Sequence, residues 1–378
     1  MMQWDKQKLK SNIEYCIERI DNGIEQFGDT FFPLDASVSG RYDCFYNRSW
    51  IPGFWTGLLM LAYEFTQKEK YLDIVKKHLD SYEVRIKNHS DVRHHDIGFC
   101  YSPSCVALYK LTGDERAKKV ALAAADVECE RYMERGGYIK AWGAMDDPKE
   151  NRIIIDCLLN LPLLFWATEV SGNIKYREVA LSHLRWSTEL LIRPDFTTYH
   201  TYMMDFTEGV PIMPKTAQGY ADDSIWARGQ AWAVCGLAIA YAYIHDESVA
   251  EKQIACTNKF IDLLPPDSVP AWDMVFTDHK TMKDTSASAI AVCGMLEMNR
   301  LLGNHKDRDR WEQKIADMMN ALADNHLAGH DPDKSAILKH GTGSVPHGQG
   351  INASLIWGDY YYMEALMRMY NPDWVQYW

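Results

Sequence analysis

Several kinds of sequence signal are missing from this chain. No C-x-x-C pair occurs, although there are nine cysteines, at 16, 44, 100, 105, 129, 157, 235, 256 and 293. Their odd number and scattered spacing give neither a disulfide frame nor a zinc knuckle, and they read as free thiols in a reducing compartment. No G-x-G-x-x-G, P-loop, G-x-S-x-G or H-E-x-x-H is present, so nucleotide, serine-hydrolase and zincin chemistry lose support. Basic charge is in deficit too. The net charge of −12 argues against a nucleic-acid partner, which needs a basic stripe, and against an anionic membrane surface. No stretch is long and uncharged enough to span a bilayer. The first ten residues lack the apolar core of a signal peptide, which leads to an expectation of a cytoplasmic protein.

Strand signals are sparse, and helical periodicity dominates. Hydrophobic residues make up 47% of the 378, enough for a large core. Thirteen Trp and 21 Tyr exceed what packing requires; about half suffice for an aromatic-rich core, and the rest suit stacking on ring-shaped ligands. One pattern recurs: an apolar helix, a short polar break, then a helix with one charged face. The apolar members are 54–65, 101–111, 158–170, 230–244 and 287–302. The charged ones are 71–79, 120–127, 176–184, 249–263 and 311–322. Gly ends one helix and Asp or Asn caps the next, as in Gly113-Asp114 and Gly172-Asn173. The breaks, at 67, 113, 172, 246 and 303, lie 46, 59, 74 and 57 residues apart, a supersecondary repeat with variable insertions. The apolar members should be inner helices and the charged ones outer. Helices at 4–27 and 358–369 can pair to close the ring, giving twelve helices and an all-α, (α/α)6 barrel, taken as one domain over 1–378. An open solenoid is the alternative, but its end repeats would need polar capping faces.

The unusual residues stand just before the inner helices. They include Trp50, His94-His95-Asp96, Trp142 to Asp156, Gln218 to Arg228, Asp284 to Ser286, and Trp357 to Asp359. Inner helices of such a ring run the same way, so these segments and six helix N-termini should share one end, where their partial positive charge favours an anion. Asp96 and Asp156 each sit in an apolar or aromatic context, where an idle carboxylate is expensive. Each could equally cap its helix. Trp50, Trp142 and Trp232, taken singly, suit a core as well as a ligand platform. Arg228, on a core-facing turn, calls for a carboxylate from the protein or from a ligand. His94-His95 lacks a third ligand at metal spacing, so no metal or cofactor is expected.

These residues also form an ordered set. His95-Asp96-Ile97-Gly98-Phe99, Ala141-Trp142-Gly143, the run Arg152 to Pro162, Tyr199-His200-Thr201, Trp226 to Trp232, Ser286 to Ala289 and Ile356 to Tyr361 closely resemble the unsaturated glucuronyl hydrolases, glycoside hydrolase family 88. The resemblance spans about 50–366. It implies an (α/α)6 barrel that removes a Δ4,5-unsaturated uronic acid from the non-reducing end of oligosaccharides left by polysaccharide lyases. It also implies Asp156 as the proton donor and Asp96 as its partner. His200, Gln218 and Arg228 would bind the sugar's hydroxyls and carboxylate, Trp50, Trp142 and Trp232 would wall the rings, and His95 would line the site. The implied partner is an unsaturated uronyl oligosaccharide, with no nucleic acid or membrane, and a chain that is a monomer or weak homodimer. Two places depart from the family pattern: Ile51-Pro52 after Trp50, where Thr-Asp is expected, and Leu338 to Asn352. Alternatives are an unsaturated rhamnogalacturonyl hydrolase, another (α/α)6 sugar enzyme such as an epimerase, or a non-catalytic scaffold.

Overall fold

The computed structural model describes residues 5–278 and 281–378; Trp4, the expected start of the first helix, lies outside them. Helix α1 (Lys6–Phe27) is followed by five hairpins. They are α2 (Pro52–Thr66) with α3 (Glu69–Lys87); α4 (Ile97–Tyr101) and α5 (Ala107–Thr112) with α6 (Glu115–Cys129); α7 (Leu161–Ser171) with α8 (Ile174–Trp186); α9 (Ala227–Ile244) with α10 (Glu247–Asp262); and α11 (Thr285–Leu302) with α12 (Arg308–Asn325). Helix α13 (Ile356–Tyr370) comes last. Among the described residues, no helix is long and apolar enough to cross a membrane.

The breaks follow from local capping chemistry. Gly113 and Gly172 end α5 and α7 in the left-handed conformation, and Asp114 and Asn173 accept backbone N–H groups of the next helix. His245 takes the same left-handed role before Asp246 caps α10. Pro162 stands in the first turn of α7, where its missing N–H costs nothing. The expected helix over 101–111 differs: a π-helical turn, Ser102–Val106, separates α4 from α5. Pro103 lies at its start and cannot donate to the helical ladder.

The chain forms two compact units. One comprises residues up to 45, 218–220 and 224–376, and so holds α1 and α9 to α13. Every residue from Ala227 to Tyr241 in α9 and from Ile356 to Met369 in α13 is buried, whereas α12 buries a single stripe that includes Trp311, Ile315, Met318 and Leu322. Helices α9 and α11 pack closely at Gly294, where a Cβ would lie 2.5 Å from the Val234 carbonyl oxygen. The other unit comprises 46–217, 221–223 and 377–378. Its α2 is buried throughout from Pro52 to Ala62, while α3 buries only one face, including Tyr71, Val75, Leu79, Tyr82 and Ile86.

This second unit also contains an antiparallel sheet, which the sparse strand signals of the sequence did not lead one to expect. Strand Arg152–Ile154 pairs with Thr201–Met204, which pairs with Pro211–Lys215. All nine cysteines are free, and only Cys44 is exposed.

Candidate active site

Of the predicted site residues, Trp50, His95, Asp96, Trp142, Asp156 and His200 belong to the second unit, and Gln218, Arg228 and Trp232 to the first. Within each unit, the segments that lead into its inner helices gather.

In the second unit, backbone hydrogen bonds stitch these segments together. The His95 N–H donates to the Ala141 carbonyl, the Ala141 N–H to Arg152, and the Ile155 N–H to His200, at 3.0, 3.0 and 3.1 Å. The pairing Ile154↔Thr201 sets Asp156, just past one strand, beside His200, just before the next. The His200 Nδ1 accepts the Ala217 N–H at 3.0 Å, so the neutral ring carries its proton on Nε2. Asp156 lies in a 3₁₀ turn (Ile155–Leu159), half-buried behind Ile153, Ile154 and Ile155, which are fully buried.

Asp96 stands at the N-cap position of α4, but its side chain makes no capping bond. Its carboxylate instead meets the His95 Nε2 at 3.4 Å, the His94 Nδ1 at 3.5 Å and the Asn160 Nδ2 at 3.5 Å. Burial raises its pKa, but His95 and hydrogen bonds from His94 and Asn160 outweigh that and hold it below the ordinary carboxylate value. Burial pushes the His95 imidazole down to about 4, against the pull of Asp96. His95 is therefore neutral above about pH 4.

Two tryptophans stand on segments tied to this group, Trp50 packing on Phe99, three residues past Asp96, and Trp142 following Ala141, whose carbonyl accepts from His95. Trp50 is half-buried, with its ring centroid 5.7 Å from Phe54 and 5.4 Å from Phe99. It follows Ser49, whose φ of 64° is left-handed, a strained setting for serine. Buried Arg85 holds this segment by donating to the carbonyls of Ser49 and Asp91, both at 2.7 Å. Trp142 is half-buried, with the Arg152 guanidinium 5.2 Å from its ring centroid.

In the first unit the ends of α9, α11 and α13 converge on Arg228. This residue is 1% exposed. It donates to the Asp284 carboxylate at 2.6 Å and to the carbonyls of Thr342 and Gly343 at 2.7 and 2.6 Å. Its guanidinium also lies 4.5 Å from the Trp226 ring and 5.2 Å from Trp357. The carboxylate it calls for is thus the protein's own, and both terminal nitrogens are committed. In this structure Arg228 ties these helix ends together. Trp232 is likewise part of the core: it is fully buried, edge-on to Tyr361 at 5.6 Å. Gln218 is half-buried, two residues before Tyr220, whose N–H donates to Asp273.

Sequence reasoning missed Asn160, which links the Asp96 carboxylate, the Asp156 carbonyl and α4. It also missed Glu128, a fully buried carboxyl that burial pushes well above its ordinary pKa, against the pull of Arg131. A Cβ on Gly98 would come 2.4 Å from the Asn160 Cα. Gly98→Ala is therefore expected to push α4 off Asn160 and lower kcat at least tenfold, measured by steady-state kinetics beside a melting curve. Among the described residues, no group of three or more His, Cys, Asp or Glu could hold a metal ion.

The chain matches the family model described as Glycosyl Hydrolase Family 88 over residues 33–373. It is 40% identical over 375 residues to the unsaturated chondroitin disaccharide hydrolase of Streptococcus pneumoniae, covering 99% of this chain and 94% of that one. The crystal structure of an unsaturated glucuronyl hydrolase from Streptococcus agalactiae superposes with a TM-score of 0.96 at 39% identity, covering 100% of this chain and 95% of that one. An Asp-to-Asn variant of the S. agalactiae enzyme, complexed with dGlcA-GalNAc6S, superposes with a TM-score of 0.89 at 37% identity, with the same coverage of 100% and 95%. The fold class is the all-α, (α/α)6 barrel expected from the helix count. With the model match and the full-length identity agreeing, the chain belongs to glycosyl hydrolase family 88 and is a glycoside hydrolase.

Proposed function

We propose that this chain, acting as one catalytic domain, removes a Δ4,5-unsaturated glucuronic acid from the non-reducing end of lyase-generated oligosaccharides by hydrating the enol-ether double bond. The observation that carries this reading is the link between the two aspartates, whose segments share the amide of Asn160 and are tied to the segments that carry Trp50, Trp142 and His200. The relative named for chondroitin disaccharides and the neighbour complexed with dGlcA-GalNAc6S favour a glycosaminoglycan source.

In the proposed sequence the protonated Asp156 carboxyl delivers its proton to C4. The cation at C5 is shared with the ring oxygen. The Asp156 carboxylate then takes a proton from a water that adds to C5, leaving a hemiketal that rearranges and expels the aglycone. This scheme hydrates a double bond and does not use the paired carboxylates of retaining or inverting glycosidases. Asp96, held ionised, accepts hydrogen bonds from the ring hydroxyls or the water. The Nε2–H of His200 donates to the sugar, His95 lines the site, and Trp50 and Trp142 offer faces for stacking. The nine free cysteines support a cytoplasmic setting, and the reading extends to a monomer or weak homodimer.

The conjugated enol ether absorbs in the ultraviolet, and its loss reports turnover. Incubation with unsaturated disaccharides from chondroitin, hyaluronan, heparin and gellan lyase digests is expected to bleach at least one of them. Absorbance that persists on all four would sink the reading.

A further inference from the structure

Asp96 occupies the N-cap position of α4, where an aspartate ordinarily spends its carboxylate on the N–H groups of the first turn. Here it does not. The N–H three residues on, that of Phe99, donates instead to the Oδ1 of Asn160, at 2.8 Å. Asn160 stands at the head of α7, 64 residues away in sequence. It caps α4 from another helix, and in doing so releases the Asp96 carboxylate from that task.

The other end of the same amide faces the two aspartates. Its Nδ2 donates to the Asp96 Oδ1 at 3.5 Å and to the Asp156 carbonyl at 3.4 Å. One hydrogen goes to each acceptor. The orientation is unambiguous, because a flipped amide would set its oxygen against a carboxylate and a carbonyl and its NH₂ against the Phe99 N–H. Asn160 is fully buried, and its backbone is pressed against Gly98, so the amide has no freedom to leave.

We propose that Asn160 is a positioning residue: its single amide caps α4 in place of Asp96, donates to the freed Asp96 carboxylate, and fixes the Asp156 backbone relative to it. The inference rests on the reading of Asp96 and Asp156 as the reacting pair. Asn160 itself touches no reacting atom. It adds to His95 and His94 in favouring the ionised Asp96, and it fixes how the two acidic segments meet.

The decisive variant is Asn160→Asp, the same shape with one donor replaced by an acceptor. Its carboxyl can still cap Phe99, but its second oxygen meets the Asp96 carboxylate. The two carboxyls resist ionising together and titrate as a pair. While one proton is shared between them, an O–H stands where the amide N–H was, and the donor is restored. Once both are ionised, the donor is lost.

The test measures kcat and KM against pH for the wild type, Asn160→Asp and Asn160→Ala, on whichever unsaturated disaccharide the wild type bleaches fastest. Melting curves check the folding of each. Asn160→Ala is expected to lose about ten- to hundredfold in kcat at every pH, the scale of one charge-assisted hydrogen bond, with KM changed little. Asn160→Asp is expected to match that loss near pH 8 and to recover as the pH falls toward 5, which moves its optimum to the acid side. Profiles for the two variants that differ only in height would overturn the proposal, because a merely structural role gives no acid rescue. A second readout needs no turnover: the carboxyl ¹³C shift of Asp96, assigned with Asp96→Asn, should titrate at higher pH in Asn160→Asp than in the wild type. An unmoved titration would overturn the proposal even if no disaccharide is a substrate. A wild type that bleaches nothing, by contrast, sinks the hydrolase reading and leaves this titration to decide the role of Asn160.

Discussion

Asp156→Asn is expected to keep its fold and its affinity for the unsaturated disaccharide and to lose turnover by several orders of magnitude. Asparagine has nearly the same shape as aspartate, and the position is half-buried at the end of a strand whose pairing uses backbone groups alone. The hydrogen bond between the Ile155 N–H and the His200 carbonyl, and that from Asn160 to the residue 156 carbonyl, do not depend on the side chain. What the amide cannot do is give a proton to C4 or take one from water. A positioned acid or base contributes about 10² to 10⁴-fold in rate, and the proposed sequence uses this one group in both roles. Bleaching rates with the wild type and the variant, beside calorimetric binding and a melting curve, separate the outcomes. Full activity in Asp156→Asn would show that another group carries the proton.

The second large effect concerns stability and lies in the other unit. Arg228→Met is expected to destabilise the protein by about 3–5 kcal/mol, because it strands a buried carboxylate. The Arg228 and Asp284 side chains are 2% and 0% exposed and 2.6 Å apart. Asp284 also caps α11 by accepting from the Ser286 N–H and Oγ, so it cannot turn away toward water. At roughly 2–4 °C per kcal/mol for a unit of this size, the midpoint should fall by about 6–20 °C. The pair Arg228→Met with Asp284→Asn should recover part of that loss, since the amide keeps an acceptor for Ser286 and leaves no charge unpaired. A midpoint within a degree of the wild type for Arg228→Met alone would show that the ion pair contributes nothing.

The helices were legible in the sequence because what begins and ends them is local. Gly113-Asp114, Gly172-Asn173 and His245-Asp246 each carry a stop and a start within two or three residues, and the structure places the breaks there. Inner and outer helices could be told apart because α9 is apolar on all sides whereas α3 is apolar on one. The sheet was not legible. Strands of three to five residues are too short for a two-residue period to register, and the β-branched run Ile153-Ile154-Ile155 was the one hint.

The candidate site divides the same way. Asp96 and Asp156 stood out because a carboxylate among apolar residues needs an explanation. Nothing local marks Asn160. It sits at a helix start, where asparagine is ordinary, and its partners Phe99 and Asp96 lie some sixty residues earlier. Arg228 shows the converse. Its demand for a carboxylate was legible, but whether the protein or a ligand would supply it depended on Asp284, 56 residues on.

The strand pair that sets His200 beside Asp156 also divides this stretch into two parts whose lengths are held by different constraints. Between the bridge Ile192↔Thr198 and the pairing Ile154↔Thr201, the chain behaves as a measured spacer. One residue more or fewer would turn alternate side chains to the opposite face and carry the His200 imidazole away from its side of the sheet. Beyond Met204 the constraint is a different one. The tip, closed by the Asp205 N–H donating to the Val210 carbonyl at 2.7 Å, exposes Thr207, Glu208 and Val210 and holds no site residue. Gly209 lies against the Gly136 backbone and Arg135 donates to the Thr207 carbonyl, so a change of length at the tip costs packing against that neighbouring turn, whereas a change at the base costs the register that places His200.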